Sequence, residues 1–251
     1  MALKKEKGII IQSLDFGDSD RMISIAGENA VRQKFISKGI RKSKRRAITS
    51  TELGSLVEID YYDQNEKDWK SIKEINLINR FDNIKSTYLG TMNLYYFCEM
   101  ISVLYPEGES HAFLYQLLLG SFEFLEKEGF VFELIPFFKL RAMSNLGHFP
   151  TEFYCHTCGM SVLNKKGAYF SLENREFQCS DCHTLPKDQL LSIRLFHTIL
   201  VNRFSQVKAT NPKYEIVREA DMILNQFFRS ITGQELKSYF EFYKSIGDSL
   251  K

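Results

Sequence analysis

The chain has 251 residues, of which 44% are hydrophobic and 25% charged, at a formal net charge of +2. This predicts a globular fold of one large or two ordinary domains and excludes a chain too polar to build a core. No apolar run approaches the roughly 18 residues needed to span a bilayer, and the run at residues 9–11 is too short for a secretory signal, so the expected compartment is the cytoplasm, where thiols stay reduced.

Residues 1–80 read as short strands. Residues 8–11 and 22–25 are rich in isoleucine, and Gly27-Glu28-Asn29 makes a turn into Ala30-Val31 and Phe35-Ile36. Residues 56–62 alternate apolar and polar side chains as a half-buried strand does, and residues 69–77 supply a fifth candidate. Five strands in this length predict a small barrel, and the strand pattern does not by itself separate the oligonucleotide-binding (OB) form from an SH3-like one.

The period then becomes helical. Residues 88–104 follow a cap at Ser86 or Thr87, and a second helix after Ser110 carries Phe113, Leu114, Leu117, Leu118, Phe122 and Leu125 on one face up to Gly129. A third ends near Leu146-Gly147, with Pro136 as a kink or in its first turn. Further helices are expected over 186–204, from an Asn211-Pro212 cap to Gly233, and over 234–246. The aromatic residues of this half read as core.

Between the third and fourth helices lie Cys155-His156-Thr157-Cys158-Gly159 and Cys179-Ser180-Asp181-Cys182-His183. Two Cys-x-x-Cys pairs at this separation match a four-thiolate zinc site, in which Cys155, Cys158, Cys179 and Cys182 close a tetrahedral shell around one structural Zn²⁺. His156 and His183 are alternative ligands. A thioredoxin-like redox site needs one pair only, haem attachment at Cys179-Ser180-Asp181-Cys182-His183 leaves the first pair unexplained, and disulfides need an oxidising compartment. Cys98 reads as a buried thiol.

Charge is uneven. The stretch from residue 29 to 51 has no acidic residue and eight basic ones, which leaves 25 basic against 31 acidic residues elsewhere, a balance of −6. Lys34, Lys38, Arg41, Lys42, Lys44, Arg45 and Arg46 are accordingly the candidate phosphate contacts. A solvated loop is the competing reading. Phe16, Phe35, Tyr61, Tyr62 and Trp69 are candidate base-stacking residues, at least half of them expected in the core. Asp15, Asp18 and Asp20 read as a polar loop rather than a cation site. No phosphate loop, Gly-x-Ser-x-Gly or His-Glu-x-x-His occurs, so binding rather than catalysis is expected.

In order, Gly8-Ile9-Ile10-Ile11, Gly17-Asp18-Ser19-Asp20-Arg21, Lys38-Gly39-Ile40-Arg41-Lys42-Ser43, Tyr105-Pro106-Glu107-Gly108-Glu109, Phe138-Lys139-Leu140-Arg141, Leu146-Gly147-His148-Phe149-Pro150 and the cysteine pairs resemble the RecO family of DNA repair and recombination mediators. The resemblance implies an α+β protein: an N-terminal five-stranded OB-fold β-barrel for DNA binding (residues 1–80), then an all-α domain (81–251) with an inserted four-cysteine zinc ribbon at about 152–185. It implies a non-enzymatic, bacterial, nucleoid-associated protein that anneals complementary strands and helps RecA load onto SSB-coated DNA. The implied partners are RecR, the acidic SSB tail, and single- and double-stranded DNA. Lys139 or Arg141 would receive the acidic tail. A zinc-ribbon transcription or RNA-binding factor is the alternative.

Overall fold

A computed structural model describes residues 2–29, 32–44, 47–63, 69–105 and 111–249. The strands are β1 (Ala2–Phe16), β2 (Asp20–Gly27), β3 (Arg32–Ser37), β4 (Leu56–Asp63), β5 (Lys70–Asn79), β6 (Ala168–Ser171) and β7 (Glu176–Cys179). The helices are α1 (Asp82–Lys85), α2 (Tyr88–Leu104), α3 (Ala112–Glu128), α4 (Leu134–Asn145), α5 (Leu190–Val201), α6 (Phe204–Ala209), α7 (Tyr214–Thr232) and α8 (Lys237–Ser249). Among the described residues no helix is long and apolar enough to cross a membrane. The chain divides into two compact units, Met1–Phe130 with Leu236–Lys251, and Val131–Glu235.

In the first unit, β1 to β5 close a barrel in the order β1-β2-β3-β5-β4, of the OB type expected. β1 is long enough to serve both neighbours, pairing with β4 over its first half and β2 over its second. Gly8 has a partner on each side, Val57 and Gly27. A Cβ there would stand 2.6 Å from the Ala26 carbonyl oxygen, so only glycine permits this approach. A bulge between Ile10 and Gln12 bends the strand around the barrel. β3 and β5 complete the closure with a short parallel pairing, Phe35 with Lys70 and Ile36 with Ser71. Alternation sends Ile10, Ile23, Ile25, Phe35, Val57, Ile59, Tyr61, Ile72 and Ile75 inward. Each buried side chain of this size contributes about 1.5–3 kcal/mol relative to exposure.

Helix α2 begins at Thr87, whose hydroxyl accepts the Gly90 N–H at 3.1 Å. The helix docks on β1: the Ser102 hydroxyl donates to the Ile11 carbonyl at 3.3 Å, and the buried Cys98 thiol donates to that of Ile10 at 3.7 Å. The guanidinium of Arg32 donates to the Ser102 and Tyr105 carbonyls, so this cation serves the fold. Helix α8 returns to the same unit. Tyr96 stacks on Phe242 with ring centres 5.8 Å apart, and the Glu99 carboxylate accepts the Lys237 and Ser238 N–H groups at 3.0 and 2.9 Å, capping the helix. Helices α1 to α3 and α8 belong to this unit: α2 and α3 pack on the barrel, α1 packs on α2 and α3, and α8 packs on α2.

The second unit is organised around Phe149, whose ring lies 4.9 Å from Phe170 on β6, 5.5 Å from Phe196 on α5 and 5.2 Å from Phe227 on α7. Edge and tilted contacts of this kind contribute about 0.5–1.5 kcal/mol each beyond burial. Two boundaries differ from the sequence expectation. The helix expected over 186–204 is shorter, since Asn202 adopts an extended conformation between α5 and α6 and its side-chain amide donates to the Thr198 carbonyl. Asn211 has a left-handed backbone, and α7 starts two residues beyond Pro212. Pro136 lies in the first turn of α4, where no N–H is needed.

Candidate nucleic-acid interface and metal centre

The basic segment leaves β3 through Gly39, whose φ of 65° starts a short 3-10 turn over Ile40–Lys42. The tip of the β1–β2 hairpin holds this turn. Gly39 N–H donates to Asp20 Oδ1 at 2.7 Å, Arg41 N–H donates to the Ser19 carbonyl at 3.0 Å, and Arg41 Nη1 donates to that of Gly17 at 3.1 Å. The Asp15 carboxylate takes two bonds from Arg21, at 2.8 and 2.9 Å, and lies 3.4 Å from Arg41 Nε. The Gly39 N–H and then the Ser19 hydroxyl hold the Asp20 carboxyl below its ordinary value, and the Arg21 guanidinium does the same for Asp15. Asp15 and Asp20 thus act as anchors for the basic segment.

Lys38, Arg41, Lys42 and Lys44 present exposed side chains on this anchored segment. Lys34 is half-buried on β3, its ammonium 5.5 Å from the centre of the Trp69 ring. Arg45 and Arg46 lie outside the described residues. Of the candidate stacking residues, Phe35 and Tyr61 are barrel core, whereas Phe16 and Tyr62 are exposed and Trp69 is half-buried. A residue that sequence reasoning missed is Tyr95 of α2, 48% exposed. It sits within an otherwise buried aromatic run, and only the docking of α2 on β1 decides which ring faces out.

The cysteine pairs lie at the ends of a small ribbon. Gly159, at φ 66°, closes the first turn with an N–H bond to the Cys155 carbonyl at 2.8 Å, and the Cys182 and His183 N–H groups return to the Cys179 carbonyl in the second. The paired strands β6 and β7 bring the turns together. The sulfurs of Cys155, Cys158, Cys179 and Cys182 all lie within 4.8 Å of one another, and Cys158 Sγ is 3.9 Å from Cys179 Sγ. A tetrahedron of about 2.3 Å metal–sulfur bonds has edges of about 3.8 Å, so this arrangement can hold a metal ion.

Burial pushes the Cys155 thiol up, but N–H groups of Cys158, Thr157 and Cys179 outweigh it and lower the thiol to about 6. Hydrogen bonding to Cys158 and Cys179 pushes the Cys182 thiol up to about 12. The imidazoles of His156 and His183 stand outside this cluster, both against the Thr157 hydroxyl, at 3.3 and 2.8 Å. Lys165, ahead of β6, bonds Asp181 at 2.7 Å. The ribbon is fastened to α5 by the Gln189 side chain, which accepts the Phe170 N–H at 3.0 Å, and by Arg194, which donates twice to the Leu163 carbonyl.

Lys139 does not stand on the surface as the sequence leads one to expect. Its side chain is wholly buried and its ammonium is 2.5 Å from the equally buried Asp221 carboxylate, so it presents no charge to solvent for an acidic chain. Residues 134 to 140 are all buried, and a helix apolar on every side is core. Arg141 is partly buried and donates to the Asn202 carbonyl at 2.5 Å.

Family models described as Recombination protein O N terminal and Recombination protein O C terminal match residues 1–81 and 85–240. The DNA repair protein RecO of Leptospira biflexa serovar Patoc is 64% identical over 248 residues, covering 99% of this chain and 100% of the relative. Proteins of the same name from Syntrophus aciditrophicus and Acetivibrio thermocellus are 25% and 26% identical. The first alignment covers 94% of both chains, and the second covers 71% of this chain and 70% of the relative.

Proposed function

The chain belongs to the RecO family, and on that footing we propose that it is a non-enzymatic mediator of DNA repair and homologous recombination. It binds single- and double-stranded DNA, anneals complementary strands and, with RecR, helps RecA load onto SSB-coated DNA in the bacterial cytoplasm. The observation that carries the DNA-binding part is the cationic segment anchored to the barrel hairpin by Asp15 and Asp20. A segment held in one shape loses less conformational freedom on binding than a free loop. Lys34, Lys38, Arg41, Lys42, Lys44, Arg45 and Arg46 contact phosphates, which provides affinity independent of sequence, as annealing of arbitrary complements requires.

The four cysteines hold one Zn²⁺ in a closed shell that leaves no position for substrate, so the ion has a structural role. The acidic SSB tail meets the helical part of the chain, with Arg141 rather than Lys139 as the cation to test. The deciding experiment is annealing of complementary SSB-coated oligonucleotides by the purified protein without nucleotide. Acceleration is expected. Sequence-selective binding with no acceleration would overturn the reading and favour a zinc-ribbon transcription or RNA-binding factor.

A further inference from the structure

Beside the anchored basic segment, a groove of about 590 Å³ runs between the barrel and α2. Leu14, Leu53, Leu94 and Tyr95 line it with apolar surface, and Arg21 and Lys85 add two cations. Leu14 and Tyr95 are 61% and 48% exposed, so two large apolar side chains open into one concavity. One residue of β1 links the groove to the basic segment: Asp15 lines the groove, and its carboxylate is bonded to Arg21 and lies against Arg41. Phe16, 52% exposed, stands next to it on the hairpin tip.

We infer that this groove receives unpaired bases of a single DNA strand whose phosphates lie on the basic segment, with Tyr95 as the stacking platform and Leu14 as the opposing apolar wall. The inference rests on the DNA-binding reading above and adds to it a site that distinguishes single strands from duplex. Phosphate contacts alone cannot do this, because both forms carry them. An aromatic face can, because the bases of a duplex are already stacked on one another. Charge also favours bases as the occupant. Arg21 is balanced by Asp15, and Lys85 by Glu52 at 3.8 Å, so the groove has little net charge with which to draw an acidic peptide.

The test compares full-length parent, Tyr95→Ala and Tyr95→Phe for binding to a labelled oligo-dT and to a duplex of equal length across a salt series. Because Tyr95 is half-exposed, Tyr95→Ala should melt as the parent does. It should bind the single strand about tenfold more weakly, the order expected from losing one stacked base. Its salt slope and duplex affinity should be unchanged, and Tyr95→Phe should retain parental affinity. Equal single-strand affinity for parent and Tyr95→Ala, or an equal loss on duplex, overturns the inference while leaving the phosphate contacts standing. A parent that binds neither DNA removes the DNA-binding reading itself.

Discussion

The Lys139 ammonium on α4 and the Asp221 carboxylate on α7 meet at 2.5 Å with neither side chain reaching solvent, so one buried ion pair joins two helices of the second unit. Two charges removed from water are stable only together. Lys139→Met alone or Asp221→Leu alone should therefore cost about 3–5 kcal/mol, while the double substitution should restore most of the loss. Urea denaturation of the four proteins measures this, and equal losses in the single and double variants would contradict it.

Salt should weaken DNA binding steeply. With about five phosphate contacts on a single strand, the logarithm of affinity should fall against the logarithm of salt with a slope of about −3.5. Replacing Arg41, Lys42, Arg45 and Arg46 together by alanine should flatten that slope and weaken single-strand and duplex binding alike. Unchanged affinity in this variant would remove the segment from the interface.

Acid should release the basic segment from the hairpin. The carboxyls of Asp20 and Asp15 are held below the ordinary 3.8 by the Gly39 N–H and the Arg21 guanidinium respectively. A group depressed in the folded state lends its stability in full above the unfolded value, and that contribution is lost as pH falls through the folded value. The Gly39 amide proton should accordingly titrate with a midpoint below pH 3.8, and Asp20→Asn should abolish the transition. An NMR pH titration of that resonance decides; a midpoint at or above 3.8 contradicts the anchoring role.

Reduced protein should contain one zinc per chain by metal analysis, and Cys158→Ser should reduce it well below one. Chelation should loosen the 131–235 unit, since ligation energy is folding energy. Each kcal/mol lost lowers the melting temperature by about 4–8 °C in a domain near this size. Calorimetry with and without chelator reads the shift, and an unchanged transition would show that the ribbon folds without the ion.

Gly54 and Gly147 separate backbone strain from crowding. Both have positive φ, 76° and 74°, but a Cβ at Gly54 would stand 2.6 Å from Leu94 Cδ1, whereas at Gly147 nothing lies within 4 Å. Gly147→Ala should cost about 1 kcal/mol from strain alone. Gly54→Ala should cost about 1–3 kcal/mol more, because the buried Leu94 side chain must give way. Denaturant midpoints for the two variants test the difference.

Local sequence determined a good deal of this protein. Alternation at residues 56–62 placed β4, a cap at Ser86 or Thr87 marked the start of α2, and the spacing from Cys155 to Cys182 marked the cysteine cluster, because each signal is carried by neighbours within a few residues or by turn chemistry. The acid-free stretch from residue 29 to 51 was likewise visible as a cationic segment. Tertiary structure decided what these parts do to one another. Asp15 and Asp20 became anchors only when the β1–β2 hairpin tip met the Gly39 turn, and Tyr95 faced a groove only once α2 lay against β1. Lys139 was withdrawn from the surface by a carboxylate 82 residues away. Helical period and strand alternation tell which side chains share a face. Whether that face meets a partner, a solvent groove or a buried counter-charge is decided by contacts between distant segments, which short-range patterns do not encode.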